Sequence, residues 1–337
     1  MLSSELSDNG NFASFGSGML VHDFFEAAGK NKIIFVGDPC QLPPIGQSFS
    51  PCLDMDWLST NDRVAITVML KTIERTNAEN DILRLAYAVR NLTLKECTER
   101  FPKLPAKNLN QVKLYSSQIE MFRKYVDCYK ISPPGETLAI ARSNRVVQHI
   151  NRAMRRDIWG TLDLPVQIGD VLLVCQNNYK VPLTNGDFVT VVSLDEIRQH
   201  ANLHFQSVRV KAALSGQEYE ILLSLDILYS QQVSFSEHQT KALMVDFSRR
   251  MRKKGIRPNT DEYKKAMMED DFINCLKATY GYAVTCHKSQ GGEWKNVFLF
   301  LDKSMYGMQK QELFRWWYTA ITRAKEELHT VDEWWIN

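Results

Sequence analysis

The sequence predicts an α/β protein with a small β-rich module set into the α/β frame. Between residues 112 and 159, strand-sized apolar runs alternate with amphipathic helical stretches, the order of a βαβ unit. Residues 168–230 switch to short strand-like segments, and Asn185-Gly186 is a strong hairpin signal because both residue types accept the positive φ of a tight turn. From 278 onward the chain reads strand, polar turn, strand, helix, strand.

In chain order, the first residues are polar and glycine-rich up to Gly18, and Met19 to Ala28 reads as a short helix. Lys32 to Val36 reads as a buried strand running into Gly37-Asp38-Pro39-Cys40-Gln41-Leu42-Pro43-Pro44, a proline-stiffened loop. Residues 66–92 read mainly as helix, with Ile82, Leu83, Leu85, Ala86, Val89 and Leu92 as its apolar face, Thr76 or Asn77 as its cap and Arg75 just ahead of it. Val112 to Tyr115 predicts a strand, Ser117 to Tyr129 an amphipathic helix and Thr137 to Ala141 a second strand. Arg142-Ser143-Asn144 then opens a basic helix with Arg145, Arg152, Arg155 and Arg156. Gly169 to Cys175, Phe188 to Val192, Ser207 to Ala212 and Glu218 to Leu225 are the short strands of the module. Residues 236–277 return to helix, with Leu243, Phe247 and Met251 spaced by four. Between Arg249 and Arg257, six residues are basic (Arg249, Arg250, Arg252, Lys253, Lys254 and Arg257), which makes either a solvated helix end or a phosphate contact. Gln309 to Thr319 reads as helix with Trp316 and Trp317 in the core, and Glu327 to Val331 as the last strand.

Hydrophobic residues make up 44% of the chain and charged residues 24%, the balance of an ordinary globular protein, which excludes a disordered or fibrous chain. Net charge is only +2, so any nucleic-acid binding must come from local patches. No apolar run reaches membrane-spanning length, and the N-terminus lacks the layout of a signal peptide. The cysteines, at 40, 52, 97, 128, 175, 275 and 286, include no C-x-x-C pair, which argues against a disulfide framework or a zinc site and for a reducing cytoplasm. His200 and His204 are spaced to share a helix face, but no further ligand is evident and no metal site is expected.

Most of the chemistry lies in Ala278 to Leu301. Two strand-like runs, Thr279 to Thr285 and Val297 to Leu301, enclose His287-Lys288-Ser289-Gln290-Gly291-Gly292-Glu293. In an open α/β sheet ligands bind beyond the carboxyl ends of the strands. A nucleotide or a nucleic-acid backbone is therefore expected beside this block, against the alternative of an ordinary polar loop. Gln41, a side-chain amide between rigid elements, is suited to sensing a phosphate or a water, against the alternative of a simple β-turn.

Taken in order, these blocks resemble the later motifs of superfamily-one helicases, in particular the RecD-like and Dda-like branch with its UvrD-like C-terminal helicase domain. Gly37 to Pro44 resembles motif III, Leu70-Lys71-Thr72-Ile73-Glu74-Arg75 motif IV, Thr285 to Glu293 motif V, and Tyr318-Thr319-Ala320-Ile321-Thr322-Arg323-Ala324-Lys325 motif VI. The Asn144 helix and the segment from Gly169-Asp170 through Asn177-Asn178 to Asn185-Gly186-Asp187 also match that branch. The resemblance implies a RecA-like (P-loop NTPase-type) α/β fold. Residues 1–68 would be the end of a first RecA-like domain, 69–180 and 278–337 a complete second one, and 181–277 an inserted SH3-like module with a helical extension.

The same resemblance implies that Gln41 contacts the γ-phosphate of ATP or the attacking water, and that Arg75 and Arg323 act as arginine fingers, whose fixed forks suit the charge of a transferring phosphoryl group. Gly37, Asp38 and Gly291 would line the nucleotide site, and Glu293 would accept a hydrogen bond from the ribose. Asn144, Thr285, His287, Lys288 and Ser289 would touch single-stranded DNA, and Arg249, Arg250, Lys253 and Lys254 would add phosphate contacts. The implied partners are ATP with Mg2+ and a single strand or duplex junction.

The phosphate cradle of that family is not in this sequence: no G-x-x-x-x-G-K-[ST] occurs, and no Asp-Glu pair stands at the family's distance before the motif III block. The expectation is the C-terminal part of an ATP-dependent, 5′-to-3′ DNA helicase. Its P-loop and Mg2+ ligands would lie in a missing N-terminal segment, through truncation, a split gene or a misassigned start. A cytoplasmic monomer that hydrolyses no ATP alone is expected. The alternatives are a non-catalytic single-strand-binding or regulatory module on the same fold, and an RNA-directed helicase of the same superfamily.

Overall fold

The computed structural model describes residues 19–70, 80–95, 97–132, 135–161, 164–230 and 232–337, so Arg75 and most of the motif IV block lie outside the described residues. The elements begin with α1 (Leu20–Ala28), α2 (Met55–Thr60), α3 (Asp81–Leu94), β1 (Val112–Tyr115), α4 (Gln118–Ile131), β2 (Thr137–Ala141) and α5 (Asn144–Trp159). Then come β3 (Val171–Val174), β4 (Phe188–His200), β5 (Leu203–Ala212), β6 (Glu218–Ser224), α6 (Leu225–Tyr229), α7 (Glu237–Lys253) and α8 (Asp261–Glu269). The chain ends with β7 (Ala278–Tyr280), β8 (Ala283–Thr285), β9 (Trp294–Phe300), α9 (Lys310–Ile321) and β10 (Ala324–Val331). It divides into two compact units, Met1–Tyr125 with Ile140–Arg142 and Thr285–Asn337, and Val126–Ala139 with Ser143–Val284. This division differs from the expected boundaries, since residues up to 125 group with the C-terminal segment.

In the first unit, Val21 and Phe25 of α1 and Leu58 of α2 form a small buried core, against which Ile33, Phe35, Trp57 and Ala65 pack. The Lys32–Val36 run, expected as a buried strand, is not one among the described residues, and Ile34 and Val36 are 81% and 89% exposed. Alternation is present, but only one face of the run meets the α1–α2 core. The helix expected from residue 66 starts later, at Asp81. Val64, Ile66, Thr67 and Val68 are β-branched and lose side-chain freedom in a helix, and residues 64–70 are not helical. Asn80 caps α3 by accepting the Leu83 N–H, and Ile82, Leu85, Ala86 and Val89 are buried, the face the 3.6-residue period selects.

β1, β10 and β9 lie side by side and parallel, with Val112 opposite Leu328 and Leu328 opposite Val297. The last residues of β2 and β8 belong to the same unit and complete the sheet order β1-β10-β9-β2-β8. Val297, Phe298 and Leu299 are fully buried, as are Trp317, Ala320 and Ile321 of α9. This is a parallel sheet with its strands inside, which explains the unbroken apolar run in β9.

The second unit carries an antiparallel sheet in the order β6-β5-β4-β3-β7. It begins at Val171 and ends at Tyr280, so it takes in strands outside the expected module boundaries of 181–277. β4 is longer than expected and joins β5 through Ala201 and Asn202, both at positive φ. His200 and His204 therefore stand on two strands of a hairpin and not on one helix face; they meet Asp246 and Asp226 respectively. Leu243, Phe247 and Met251 of α7 are buried as their spacing requires.

Asp170, fully buried, accepts hydrogen bonds from Arg155 Nε and Nη2 (both 3.1 Å), Tyr282 Oη (2.6 Å), Trp159 Nε1 (3.2 Å) and the Gln167 N–H (2.7 Å). Burial and the Asp170 charge push the Tyr282 phenol well above its usual range, so it remains a donor to the carboxylate. Asn151, also buried, accepts the Ala283 N–H at 2.7 Å and donates to Tyr280 O at 2.9 Å. These bonds fix the β7–β8 link to α5.

His329 in β10 is fully buried, stacked on Phe298 at 4.0 Å, with Nδ1 2.9 Å from Tyr115 Oη and Nε2 3.4 Å from a Glu327 oxygen. Burial, helped by Lys124 and Lys113, pushes its pKa down to about 3. The unfolded imidazole titrates near 6.5. The stability this neutral histidine contributes is full above about pH 6.5 and is lost as pH falls toward about 3, by about 1.4 kcal/mol per unit. In denaturant titrations, His329→Gln is expected to flatten the fall in stability between about pH 6 and 4 relative to the wild type. Equal slopes for the two proteins contradict this assignment.

Candidate functional site

The proline loop and the polar block, some 250 residues apart in sequence, meet in the first unit. The Leu42 N–H donates to Thr319 Oγ1 at 2.9 Å, and Leu42 O accepts from Gln290 Nε2 at 3.0 Å. Asp38 Oδ1 accepts the Cys40 N–H at 3.0 Å, while Oδ2 accepts from Tyr318 Oη at 2.7 Å and lies 3.8 Å from Arg90 Nη1. Burial and Asp38 push the Tyr318 phenol up to about 12, so it stays a donor. The Gln41 side chain, half-buried, makes no hydrogen bond among the described residues. The Gln290 Oε1 is buried and also lacks a hydrogen-bond partner among them.

The block itself is a turn between β8 and β9. Ser289 is fully buried, and its Oγ donates to Cys286 O at 2.8 Å. Cys286 is buried and burial pushes its thiol up, which leaves it an inert packing group. His287 is half-buried, and burial lowers its pKa despite the opposing charge of Glu312, so the imidazole is neutral at pH 7. Lys288 beside it supplies the cation. Gly291 sits at φ +84°, and a Cβ on Gly292 would lie 2.2 Å from the buried Trp294 ring.

Arg323 is 4% exposed and locks this turn to α9: Nε donates to Thr319 O, Nη1 to Gly292 O and Nη2 to Thr322 Oγ1, each at 3.0 Å. Its own carbonyl accepts the Trp294 N–H at 2.9 Å. Glu293 pairs with the more exposed Lys325 at 3.3 Å.

Of the residues expected at the site, Gly37, Asp38, Gln41, Thr285, His287, Lys288, Ser289, Gly291, Glu293 and Arg323 all fall in the first unit. Ser289 and Arg323 face inward and hold the loop. Asn144, exposed at the start of α5, and the 249–257 run lie in the second unit. Arg250 was expected on phosphate, but it is held by Asp246 at 2.8 Å and by Asp270, as an ordinary ion-paired residue at the end of α7. Gln290, Tyr318, Thr319 and Arg90 carry the interlock and had no expected role. The first three sit inside the blocks that carry the resemblance, so their position was visible and their partners were not. No group of His, Cys, Asp or Glu able to hold a metal ion occurs among the described residues, and no helix among them is long and apolar enough to cross a membrane.

Residues 280–331 match the family described as the UvrD-like helicase C-terminal domain. An uncharacterised protein of Acanthamoeba polyphaga mimivirus is 22% identical over 88% of this chain and 68% of its own length. An uncharacterised protein of Methanocaldococcus jannaschii is 43% identical over 54 residues, 16% of this chain and 4% of that one. Among solved structures, the Pif1 helicase from Bacteroides in complex with ADP-AlF3 and ssDNA is 14% identical, with a TM-score of 0.44 over 88% of this chain. The Pif1 helicase from Candida albicans is 12% identical, with a TM-score of 0.38. The chain spans 61% and 63% of those two proteins.

The tight Gly292–Trp294 approach gives a direct check. Gly292→Ala is expected to destabilise the protein by about 1–3 kcal/mol, since the added methyl would overlap a buried indole. Gly307→Ala, where an added Cβ meets nothing within 4 Å, is expected to stay within about 0.5 kcal/mol. Equal denaturation midpoints for both variants contradict the close approach.

Proposed function

We propose that this chain is the C-terminal part of an ATP-dependent, superfamily-one DNA helicase of the RecD-like or Dda-like branch, moving 5′ to 3′ along single-stranded DNA. The observation that carries this reading is the interlock at Leu42, because it joins the stretches resembling motifs III, V and VI in one hydrogen-bonded cluster. Gln41 is read as the sensor of the ATP γ-phosphate. Thr285, His287 and Lys288 are read as DNA contacts, His287 as a neutral hydrogen-bonding group and Lys288 as a cation. Movement of the Asp38–Leu42 loop would then reach the DNA-facing turn through Gln290 and Thr319. Arg323, which already donates to Thr319 O, Gly292 O and Thr322 Oγ1, is the first proposed arginine finger, and Glu293, whose Oε2 pairs with Lys325, is read as the acceptor for the ribose. Arg75 is the second proposed finger, and Gly37, Asp38 and Gly291 the proposed lining of the nucleotide site.

The antiparallel sheet with α7 and α8 is read as the SH3-like module and its helical extension, and the first unit's parallel sheet as the core of the second RecA-like domain. The described residues do not fit a Mg2+ site, since no cluster of metal-ligating side chains is present among them, and no role for the ion is assigned to this chain. Without a P-loop motif, the chain by itself is read as a monomeric DNA-binding module that does not turn over ATP.

Two measurements test this. Phosphate release in the presence of single-stranded DNA is expected to stay at background, and turnover of even about 1 per second, low for an enzyme, overturns the inactivity. Fluorescence anisotropy with a labelled oligonucleotide should show binding that weakens steeply with salt, because phosphate contacts release counterions. The joint variant Arg249→Ala, Lys253→Ala, Lys254→Ala should flatten the slope of log affinity against log salt by about 1.4 if two of the cations meet phosphate. An unchanged slope makes that run a solvated helix end, and no binding at all overturns the reading.

A further inference from the structure

One face of α5 carries a row of basic side chains, and the one carboxylate paired with it is Asp157, on Arg156. Arg145, His149, Arg152 and Arg156 recur at intervals of four, three and four, which keeps side chains on one side of a helix. All four are exposed, while Ile150, Asn151, Met154 and Arg155 on the other side are buried. A helix face that is merely solvated gains from opposite charges at i,i+4 and loses from like ones. Here Arg152 and Arg156 are a like-charged i,i+4 pair. The neighbouring acid, Asp157, is taken by Arg156 at 3.2 Å. Neither Arg145 nor Arg152 has a carboxylate partner among the described residues. Arg145 also stands in the first turn, which holds no acidic residue, and a cation there opposes the positive end of the helix dipole.

The other long helices of this unit follow the opposite rule. α7 and α8 begin with Glu237 and with Asp261 and Glu262, and α7 sets Arg250, Arg252 and Lys253 in its last turn, where they offset the dipole. Local electrostatics thus accounts for the basic end of α7 and does not account for the row on α5.

We propose that this row is a further nucleic-acid contact surface, a rail for the phosphate backbone along the helix that Asn144 opens, made by residues other than those of the 285–293 turn and the end of α7. By helix rise it extends about 16 Å, close to the axial length of about five phosphates on one strand of a B-form duplex. Arginine fits the role because its guanidinium is always charged, weakly hydrated and forked to take two phosphate oxygens. An anionic membrane surface is the weaker fit, since stable insertion needs apolar side chains beside the cations and the row has none. The rail shares its class of ligand with the proposed function but uses a different site.

The test is anisotropy of the full chain with a labelled single strand over a range of salt, for wild type and for the joint variant Arg145→Gln, Arg152→Gln, Arg156→Gln. The substitutions are at exposed positions, and the joint Arg→Lys variant at the same positions is the control for folding and for charge. The Gln variant is expected to flatten the salt slope by about 1.4, at about 0.7 per phosphate for Arg145 and Arg152, the two arginines without a carboxylate partner among the described residues, and to lose affinity by about ten-fold or more at low salt. The Lys variant is expected to keep the wild-type slope. A Gln variant with wild-type slope and affinity overturns the rail and leaves the helicase reading standing. Failure of the wild type to bind any oligonucleotide overturns both. Binding to phosphatidylserine vesicles that the Gln variant loses, with oligonucleotide binding intact, identifies a lipid-facing patch and overturns the rail.

Discussion

The backbone of a single residue, Leu42, ties three distant stretches of the first unit together. Its N–H is satisfied by Thr319 and its carbonyl by Gln290, and the residue is buried. A buried backbone group left without a partner costs about 1–3 kcal/mol, so neither bond is dispensable while the loop stays in place. Pro43 and Pro44 follow with no N–H of their own, which leaves Leu42 as the last donor before the chain leaves the site. Asp38, held by Tyr318 and near Arg90, anchors the other end of the same loop. Gln41 is thereby presented from a loop fixed on both sides, the condition a phosphate-sensing amide needs.

The same logic places Arg323. Its guanidinium spans carbonyl and hydroxyl acceptors on α9 and on the glycine turn, so the turn that follows β8 and the helix that precedes β10 keep one geometry. The parallel strands β9 and β10 then carry those two ends into the core. In this arrangement Arg323 is a clamp between the glycine turn and α9.

Much of this arrangement was legible in the sequence because helical and strand periods report which side of an element faces inward. The face of α3, the limits of β1 and β2, and the buried spacing of α7 followed directly. Periodicity does not report what lies across the interface. In the sequence Arg155 is one of four arginines of a basic helix, and its burial on Asp170 depends on a loop brought in from fifteen residues away. Lys32 to Val36 read as a buried strand because its composition is apolar, but only one of its faces meets the α1–α2 core. The Ala201-Asn202 turn carried a weaker signal than Asn185-Gly186, so the long β4–β5 hairpin was seen only in part. At the site, the chemistry-bearing stretches were visible, while the inward or outward direction of Ser289 and Arg323 was decided by packing.

Hydrogen exchange at residues 38–44 reads whether the proposed phosphate-sensing loop responds when DNA binds at the proposed contact of the 285–293 turn. Pro39, Pro43 and Pro44 have no amide proton, so a peptide covering this loop reports on Cys40, Gln41 and Leu42 with few others. Exchange is measured with and without a saturating single-stranded oligonucleotide, with Thr319→Val as the variant that removes the Leu42 acceptor. Coupling through Leu42 predicts slower exchange in the loop when DNA is bound, and loss of that slowing in Thr319→Val. Unchanged exchange in the wild type, with DNA shown to be bound, would contradict it.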